Sequence, residues 1–551
     1  MSRRPQILDQ IQGGRAAPIG RPPVVGDDNS TRTDAELAKF AEFTVTVESL
    51  FGLPGSGYDS KRHRYRASYI RPKSFSLRLE ARTGLSAASR RIVSPGVRRP
   101  STVNEFATLV AEMDNADGGV PGGGGVPMIP DELVAYQWIV KERGGKFVSS
   151  KLVQRPVSPM QLAVFEVPRT GSYDITLRAK FKDNRQGERT VRVNIKDWFV
   201  VSLGDSAASG QGNPDRQGTV SMNDPRGRAI CEFSTISVAR EYHAPMNNAP
   251  VWTEKLAYRS MKSGPALAAR AVQHTFESTW DTDGKSKDQL TFNKVVFASF
   301  ARTGARIDRG LFDPQKGKDD FIGAGQLDEC ERTANGRPID AMMISIGGND
   351  LGFADVLSGL VSGDSVFRSG LRFLDSGDDA GEREKIRKRL EDMLEVGSDL
   401  DKAYARLNAR LDELRKDPGL KEVYIAGYPS SIFEVNDKDG KPRFKACGVF
   451  TGPDLDLSGE DGKAIKRFGT KLNAAIKRNA DKHHWHYVDV DKDFAGHGYC
   501  ADESVTFWVS AEDSCRRQGD FEGMAHPNHR GHQAYALRLS QSMRQHTFKG
   551  A

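Results

Sequence analysis

Apolar and polar positions alternate along the first third of the chain. Phe43, Val45 and Val47 share one face of a period-two pattern, as do Phe75, Leu77, Leu79 and Ala81. The pattern resumes at Tyr136–Val140 and Leu162–Val167, then at Tyr173, Ile175, Leu177 and Ala179, and last at Val191, Val193 and Ile195. Period two marks half-buried strands. Short strands broken by Gly/Pro turns, with no helix between them, predict a β-sandwich over residues 41–197. Asp117–Pro127 is so glycine-rich that it reads as a flexible loop within it. Residues 1–40 are rich in Pro, Gly, Arg and Asp, lack periodicity and read as a disordered leader.

From Trp198 the pattern changes. Buried-strand runs at 198–203, 295–300, 341–346, 423–427 and 487–490 are separated by longer segments. Ile386, Leu390, Met393, Leu394, Leu400, Leu407, Leu411 and Leu414 recur at threes and fours, predicting a long helix that Asp417-Pro-Gly stops. A second helix is predicted over 463–482. Strands alternating with helices imply a parallel sheet covered on both faces, so residues 198–551 are expected to form an α/β domain.

Composition narrows the function. The 551 residues hold 80 Lys+Arg against 73 Asp+Glu, a small net positive charge on a heavily charged surface. No basic block with interleaved aromatics and no zinc-finger spacing occurs, so nucleic acid is not an expected partner. No run approaches the roughly 18 apolar residues of a membrane span. The start, Met1-Ser-Arg-Arg, has the charge of a signal peptide without its apolar region.

Candidate chemistry lies at the ends of three predicted strands. The first empties through Gly204 into Asp205 and Ser206, the second into Ala301-Arg-Thr-Gly304-Ala, and the third into Gly347-Gly-Asn349-Asp350. In open α/β sheets ligands bind at that carboxyl edge. A serine hydroxyl needs a base and oxyanion donors. Gly304 permits close backbone approach, Asn349 supplies a side-chain amide, and the Ser206 N–H is a third donor. Near the C-terminus, Met524-Ala-His526-Pro-Asn-His529-Arg-Gly-His532 places a histidine on a loop before a helix, where it can take the serine proton. His483, His484, His486 and His497 lack acidic partners at ligand spacing, so no metal or other cofactor is expected.

GDSAAS, RTGA, SIGGNDLGF and HPNHRGHQAYA, in that order, resemble the blocks of the SGNH (GDSL-type) hydrolases. Phe494-Ala-Gly-His-Gly-Tyr-Cys500 is similar to secreted bacterial esterases and lipases of that family. The resemblance implies a flavodoxin-like αβα sandwich hydrolysing carboxylic esters without metal. It implies Ser206 as nucleophile, Gly304 and Asn349 in the oxyanion hole, and His526 as general base. One departure stands out: where the family usually carries Asp, three residues before the histidine, this chain has Gly523. Asp520 and Glu522 are out of register, so a backbone carbonyl or an acid from elsewhere must orient His526. Tyr136-Gln-Trp and Phe165–Leu177 resemble a PKD or immunoglobulin-like module, implying a spacing or binding role for the sandwich.

These readings predict a serine esterase or lipase acting on a small-molecule or lipid acyl ester. The alternatives are a polysaccharide O-acetylesterase, with polysaccharide as partner, and a decayed surface-binding protein. Of the five cysteines, Cys500 and Cys515 are close in sequence and are the expected disulfide pair; five reduced thiols in a cytosolic protein is the other reading. The family likeness favours a secreted or surface location, although no export signal is evident.

Overall fold

The computed structural model describes residues 41–47, 57–83, 101–118, 133–154, 160–181, 186–221, 223–233, 243–274, 289–315, 324–352, 392, 394–416, 419–444 and 459–548. The leader, most of the Gly-rich loop, Cys447 and the first part of the long predicted helix lie outside them.

Eleven strands carry the architecture: β1 (Ala41–Val47), β2 (Phe75–Thr83), β3 (Leu133–Glu142), β4 (Val148–Gln154), β5 (Met160–Val167), β6 (Gly171–Phe181), β7 (Gln186–Gly204), β8 (Gln289–Ser299), β9 (Ile339–Ser345), β10 (Leu420–Ala426) and β11 (His486–Val488). β1, β2 and β5 form a three-stranded antiparallel sheet. The others form one eight-stranded sheet ordered β11-β10-β9-β7-β6-β3-β4, with β8 on the other edge of β7.

β7 is shared between two kinds of pairing. Residues 186–195 pair antiparallel with β6, and residues 192–202 pair parallel with β8. Residues 200–204 pair parallel with β9 on the edge that β6 has left. The strand therefore runs for 19 residues without a break at Asp197–Trp198. The predicted strands at Val191–Ile195 and Trp198–Leu203 are one strand. Counted from Trp198, the parallel strands follow the order 2-1-3-4-5, the flavodoxin-like arrangement.

Two buried clusters reflect this division. Phe75, Leu77, Phe165, Trp138, Tyr173 and Val193 belong to a cluster between the three-stranded sheet and the antiparallel strands. The larger cluster surrounds the parallel sheet and also takes in Tyr58, Tyr65, Tyr69, Ile70 and Phe106. A helix, α1 (Val103–Gly118), interrupts the strands where sequence periodicity predicted none. Its Phe106 packs into the parallel-sheet core rather than between the two sheets. β4 also escaped prediction: it is an edge strand with no fully buried position, so it shows no apolar alternation.

Further helices are α2 (Ser206–Ser209), α3 (Pro225–Phe233), α4 (Gly264–His274), α5 (Gln326–Ala334), α6 (Asp399–Leu414), α7 (Gly459–His483), α8 (Ala511–Gln518) and α9 (His529–His546), besides single turns at Ala67–Ile70 and Asp491–Phe494. The predicted long helix does not run unbroken to Leu414. Gly397 takes a left-handed φ of 83°, and the Ser398 side chain accepts from the Asp401 N–H, starting α6 afresh. Leu394 before this cap and Leu400 after it are both buried, so apolar spacing alone does not reveal the break.

The expected Cys500–Cys515 disulfide is not formed. Cys515 on α8 is bonded to Cys231 on α3, 284 residues away, with Cα atoms 5.5 Å apart. Cys500 is disulfide-bonded as well, hence to another partner. Proximity in sequence was a poor guide because α8 turns the Cys515 side chain into a small core with Val220 and Ala244. Among the described residues no helix is long and apolar enough to cross a membrane.

Candidate active site

β7 and β9 lie side by side where the strand order reverses, and their C-terminal turns carry Ser206 and Asn349. The two turns interlock. Gly204 has φ 131°, and a Cβ there would lie 2.0 Å from the Ser345 carbonyl oxygen, so only glycine lets the strands approach. Gln326, on α5, clamps Gly204 from both sides: its Oε1 accepts from the Gly204 N–H at 2.7 Å and its Nε2 donates to the Gly204 carbonyl at 2.9 Å.

Asp205 caps α2 through the Ala207 N–H at 3.0 Å and accepts from the Tyr428 hydroxyl. That hydroxyl accepts in turn from the Gly348 N–H at 3.2 Å. A chain of buried hydrogen bonds thus joins the turn of Ser206 to the turn of Asn349. Burial pushes the Asp205 carboxyl up to about 7, with the Tyr428 hydrogen bond opposing it.

The loop after β8 supplies Gly304, exposed and with φ 68°. Asn349 donates one amide N–H to the Ala305 carbonyl at 3.0 Å, leaving its second N–H as a donor beside Gly304. Asp350 accepts from the Ile307 N–H at 3.0 Å and holds the far side of the same loop. Burial raises its pKa to about 6.

His526 precedes α9. Ala525 N–H donates to the Val509 carbonyl at 3.0 Å and Val509 N–H to the His526 carbonyl at 2.9 Å, which pins the loop. Ala525 takes φ 57°, unusual for a residue with a Cβ. The Asn528 side chain caps α9 through the Arg530 and Gly531 N–H groups. A Cβ placed on Gly212, just past α2, would lie 3.1 Å from the His526 Cβ, so the histidine loop packs directly on the segment that follows Ser206.

Nδ1 of His526 lies 3.0 Å from the Met524 carbonyl oxygen. A backbone carbonyl therefore occupies the place of the usual carboxylate. A Cβ on Gly523 would sit 2.2 Å from Gln518 Nε2, so an amide fills the space an aspartate there would need. Asp520 bonds the Glu522 N–H and the Tyr258 hydroxyl instead of the histidine. Burial lowers the His526 pKa, while the Met524 carbonyl and the Glu522 charge work the other way. The rival histidines have other settings. His532 is fully buried, its Nδ1 accepting from Gly264 N–H and its Nε2 facing the Gln211 carbonyl, and burial drives its pKa down to about 4. His529 is exposed on α9 and lines a neighbouring polar cleft with Arg517 and Arg530.

Ser206, Gly304, Asn349 and His526 are thus carried by loops on one edge of the sheet, with partly exposed backbone or side chains at each. The Ser206 hydroxyl and the His526 ring are not hydrogen-bonded to each other. Such contacts are commonly long in free enzymes and tighten with substrate. His486, one of the histidines set aside as a metal ligand, pairs with Glu422 at 2.8 Å and stacks on His546. Among the described residues no group of three His, Cys, Asp or Glu side chains gathers as metal ligands would.

Tyr428, Gln326, Asn528 and Gln211 were not singled out from sequence. Each is a lone polar residue without a motif, and the only available signal was a polar side chain inside an otherwise apolar or glycine-rich stretch.

Residues 286–534 match the model of the GDSL-like lipase/acylhydrolase family, so the chain carries a domain of the GDSL/SGNH lipase–acylhydrolase family. The match begins after Ser206, whose turn joins that domain through β7. Similar solved structures include an extracellular lipase of Streptomyces rimosus, 20% identical, covering 63% of this chain and 99% of its own, with a TM-score of 0.35. A phospholipase A1 of Streptomyces albidoflavus is 18% identical, covering 63% and 98%, with a TM-score of 0.34. An acetylxylan esterase of Geobacillus stearothermophilus is 12% identical, covering 64% and 94%, with a TM-score of 0.24. No curated protein matches the chain.

Proposed function

We propose that the chain is a serine carboxylic-ester hydrolase, an esterase or lipase, that works through an acyl-enzyme. The observation that carries this reading is the meeting of the Ser206, Gly304 and Asn349 turns at the switch point of the parallel sheet, with the His526 loop packed on Gly212.

The Ser206 hydroxyl attacks the acyl carbon as His526 Nε2 takes its proton. Holding Nδ1–H on the Met524 carbonyl leaves Nε2 unprotonated, the tautomer a base needs. The Ser206 N–H, the Gly304 N–H and the free Asn349 amide N–H receive the oxyanion, at roughly 3–4 kcal/mol per donor. The imidazolium then protonates the departing alcohol. A water deprotonated by His526 attacks the acyl-enzyme, and collapse returns Ser206 with its proton and releases the carboxylic acid.

Two sets of disulfide-bonded cysteines fit an oxidising compartment, and we place the protein outside the cytosol on that basis. The two sheets that sandwich the second core are read as a PKD- or immunoglobulin-like unit that shares β7 with the parallel sheet.

The test is hydrolysis of p-nitrophenyl acetate and butyrate by wild type and Ser206→Ala, alongside labelling by a fluorophosphonate probe. Loss on the order of 10³-fold or more, with labelling abolished, is the expected outcome. Equal rates above background, or a wild-type chain that does not label, would refute the mechanism.

A further inference from the structure

We infer that Gln211 is a positioning residue for this acyl transfer, holding the oxyanion loop and the histidine loop in register with the nucleophile. The inference rests on the hydrolase reading above.

Gln211 is 2% exposed and lies one turn beyond Ser206, where its own N–H donates to the Ser206 carbonyl at 3.3 Å. Its side chain points into neither core. Oε1 accepts from the Thr303 hydroxyl, on the residue just before Gly304. Nε2 donates at 2.5 Å to the Glu522 carbonyl, in the turn that leads to His526. The Gln211 backbone carbonyl faces His532 Nε2 at 3.3 Å, on the helix that follows the histidine loop. One planar amide therefore spans three loops far apart in sequence.

Glutamine suits the place because one planar group offers an acceptor and two donors. Alanine reaches neither loop. Glutamate keeps the acceptor but has no N–H for the Glu522 carbonyl. Thr303 is held again from behind by Gln315 Nε2 on its carbonyl at 2.8 Å, so its hydroxyl rather than its backbone answers to Gln211. Acyl transfer depends on sub-ångström placement of donors and base, so a tie between their loops acts on kcat more than on substrate binding.

The test compares wild type, Gln211→Ala, Gln211→Glu and Thr303→Val on p-nitrophenyl butyrate, with Ser206→Ala as the blank. Gln211→Ala should lower kcat on the order of tenfold to a hundredfold while KM stays within about twofold. Thr303→Val should cost less and add little to Gln211→Ala, since Gln211→Ala already severs the Thr303 contact as well as the Glu522 one. Gln211→Glu puts a carboxylate beside the histidine turn, so the acid limb of kcat/KM should move to higher pH. Amide hydrogen exchange needs no substrate: residues 301–305 and 521–526 should exchange faster in Gln211→Ala while β9 keeps its protection. The proposal is overturned if Gln211→Ala keeps kcat within about twofold of wild type, or if both loops keep wild-type protection. Should Ser206→Ala match wild type, the esterase reading falls, and the exchange experiment still decides whether Gln211 ties the loops.

Discussion

In the proposed mechanism His526 acts as base with a backbone carbonyl, not a carboxylate, on Nδ1. A carboxylate on Nδ1 would raise the ring's pKa by Coulomb attraction. The Met524 carbonyl is a dipole, and burial outweighs it, so the pKa falls below its ordinary 6.5. The base works when neutral, so a lowered pKa keeps it in working form further into acid. The acid limb of the kcat/KM profile for p-nitrophenyl butyrate is expected to be centred below pH 6.5, the ordinary histidine value. An acid limb centred above pH 7 would instead mean that an acidic side chain reaches the ring. The raised pKa of Asp205 belongs to a carboxyl bonded to the Tyr428 hydroxyl and the Ala207 N–H, whereas the His526 ring is bonded to the Met524 carbonyl.

At the scale of elements, the outer edge of β8 shows how the segment before β2 serves the sheet. β8 pairs only with β7 among the described strands, which leaves N–H and C=O groups on its other side. The Tyr65 hydroxyl accepts from the Ser299 N–H at 2.7 Å and donates to the Ser299 carbonyl at 3.1 Å. The Tyr69 hydroxyl donates to the Phe297 carbonyl at 2.8 Å. Two phenols thus take the place of a neighbouring strand and close the edge. Tyr69→Phe keeps the ring but strands the buried carbonyl, which should cost about 1–3 kcal/mol in urea unfolding. A variant as stable as wild type would show that water reaches that edge.

What the sequence disclosed follows from how local the signal was. Val200 and Val201 in a short apolar run ending at Gly204-Asp205-Ser206 announce a strand and its turn within a few residues, and the GGND and RTGA turns do the same. The Tyr65 and Tyr69 edge, the Asp205–Tyr428–Gly348 chain and the Cys231–Cys515 bridge pair residues 80 to 284 positions apart, which no period can report. The α6 cap fell between, since Gly397-Ser398 was visible but outvoted by the leucine spacing around it.

At the scale of the whole molecule, β7 decides whether the N-terminal strands are an appendage. Val191, Val193 and Ile195 anchor the core between the two sheets, and Phe199, Val200, Val201 and Leu203 anchor the core of the parallel sheet, all on one uninterrupted strand. Tyr58, Tyr65, Tyr69, Ile70 and Phe106 come from the N-terminal third yet lie in the parallel-sheet core. A chain beginning at Trp198 forfeits all five, at roughly 1.5–3 kcal/mol for each large apolar side chain. It also uncovers the β8 edge and ends its central strand just where β8 still needs a partner at residues 192–197. Against a total stability of about 5–15 kcal/mol that loss is decisive. The full chain should therefore melt in one calorimetric transition covering both cores, and the chain from Trp198 should be aggregated or molten and inactive on p-nitrophenyl butyrate. Two resolved transitions in the full chain, or a shortened chain that melts and turns over like wild type, would show that the strands before Trp198 are a separable module and that the tyrosine-lined edge is dispensable.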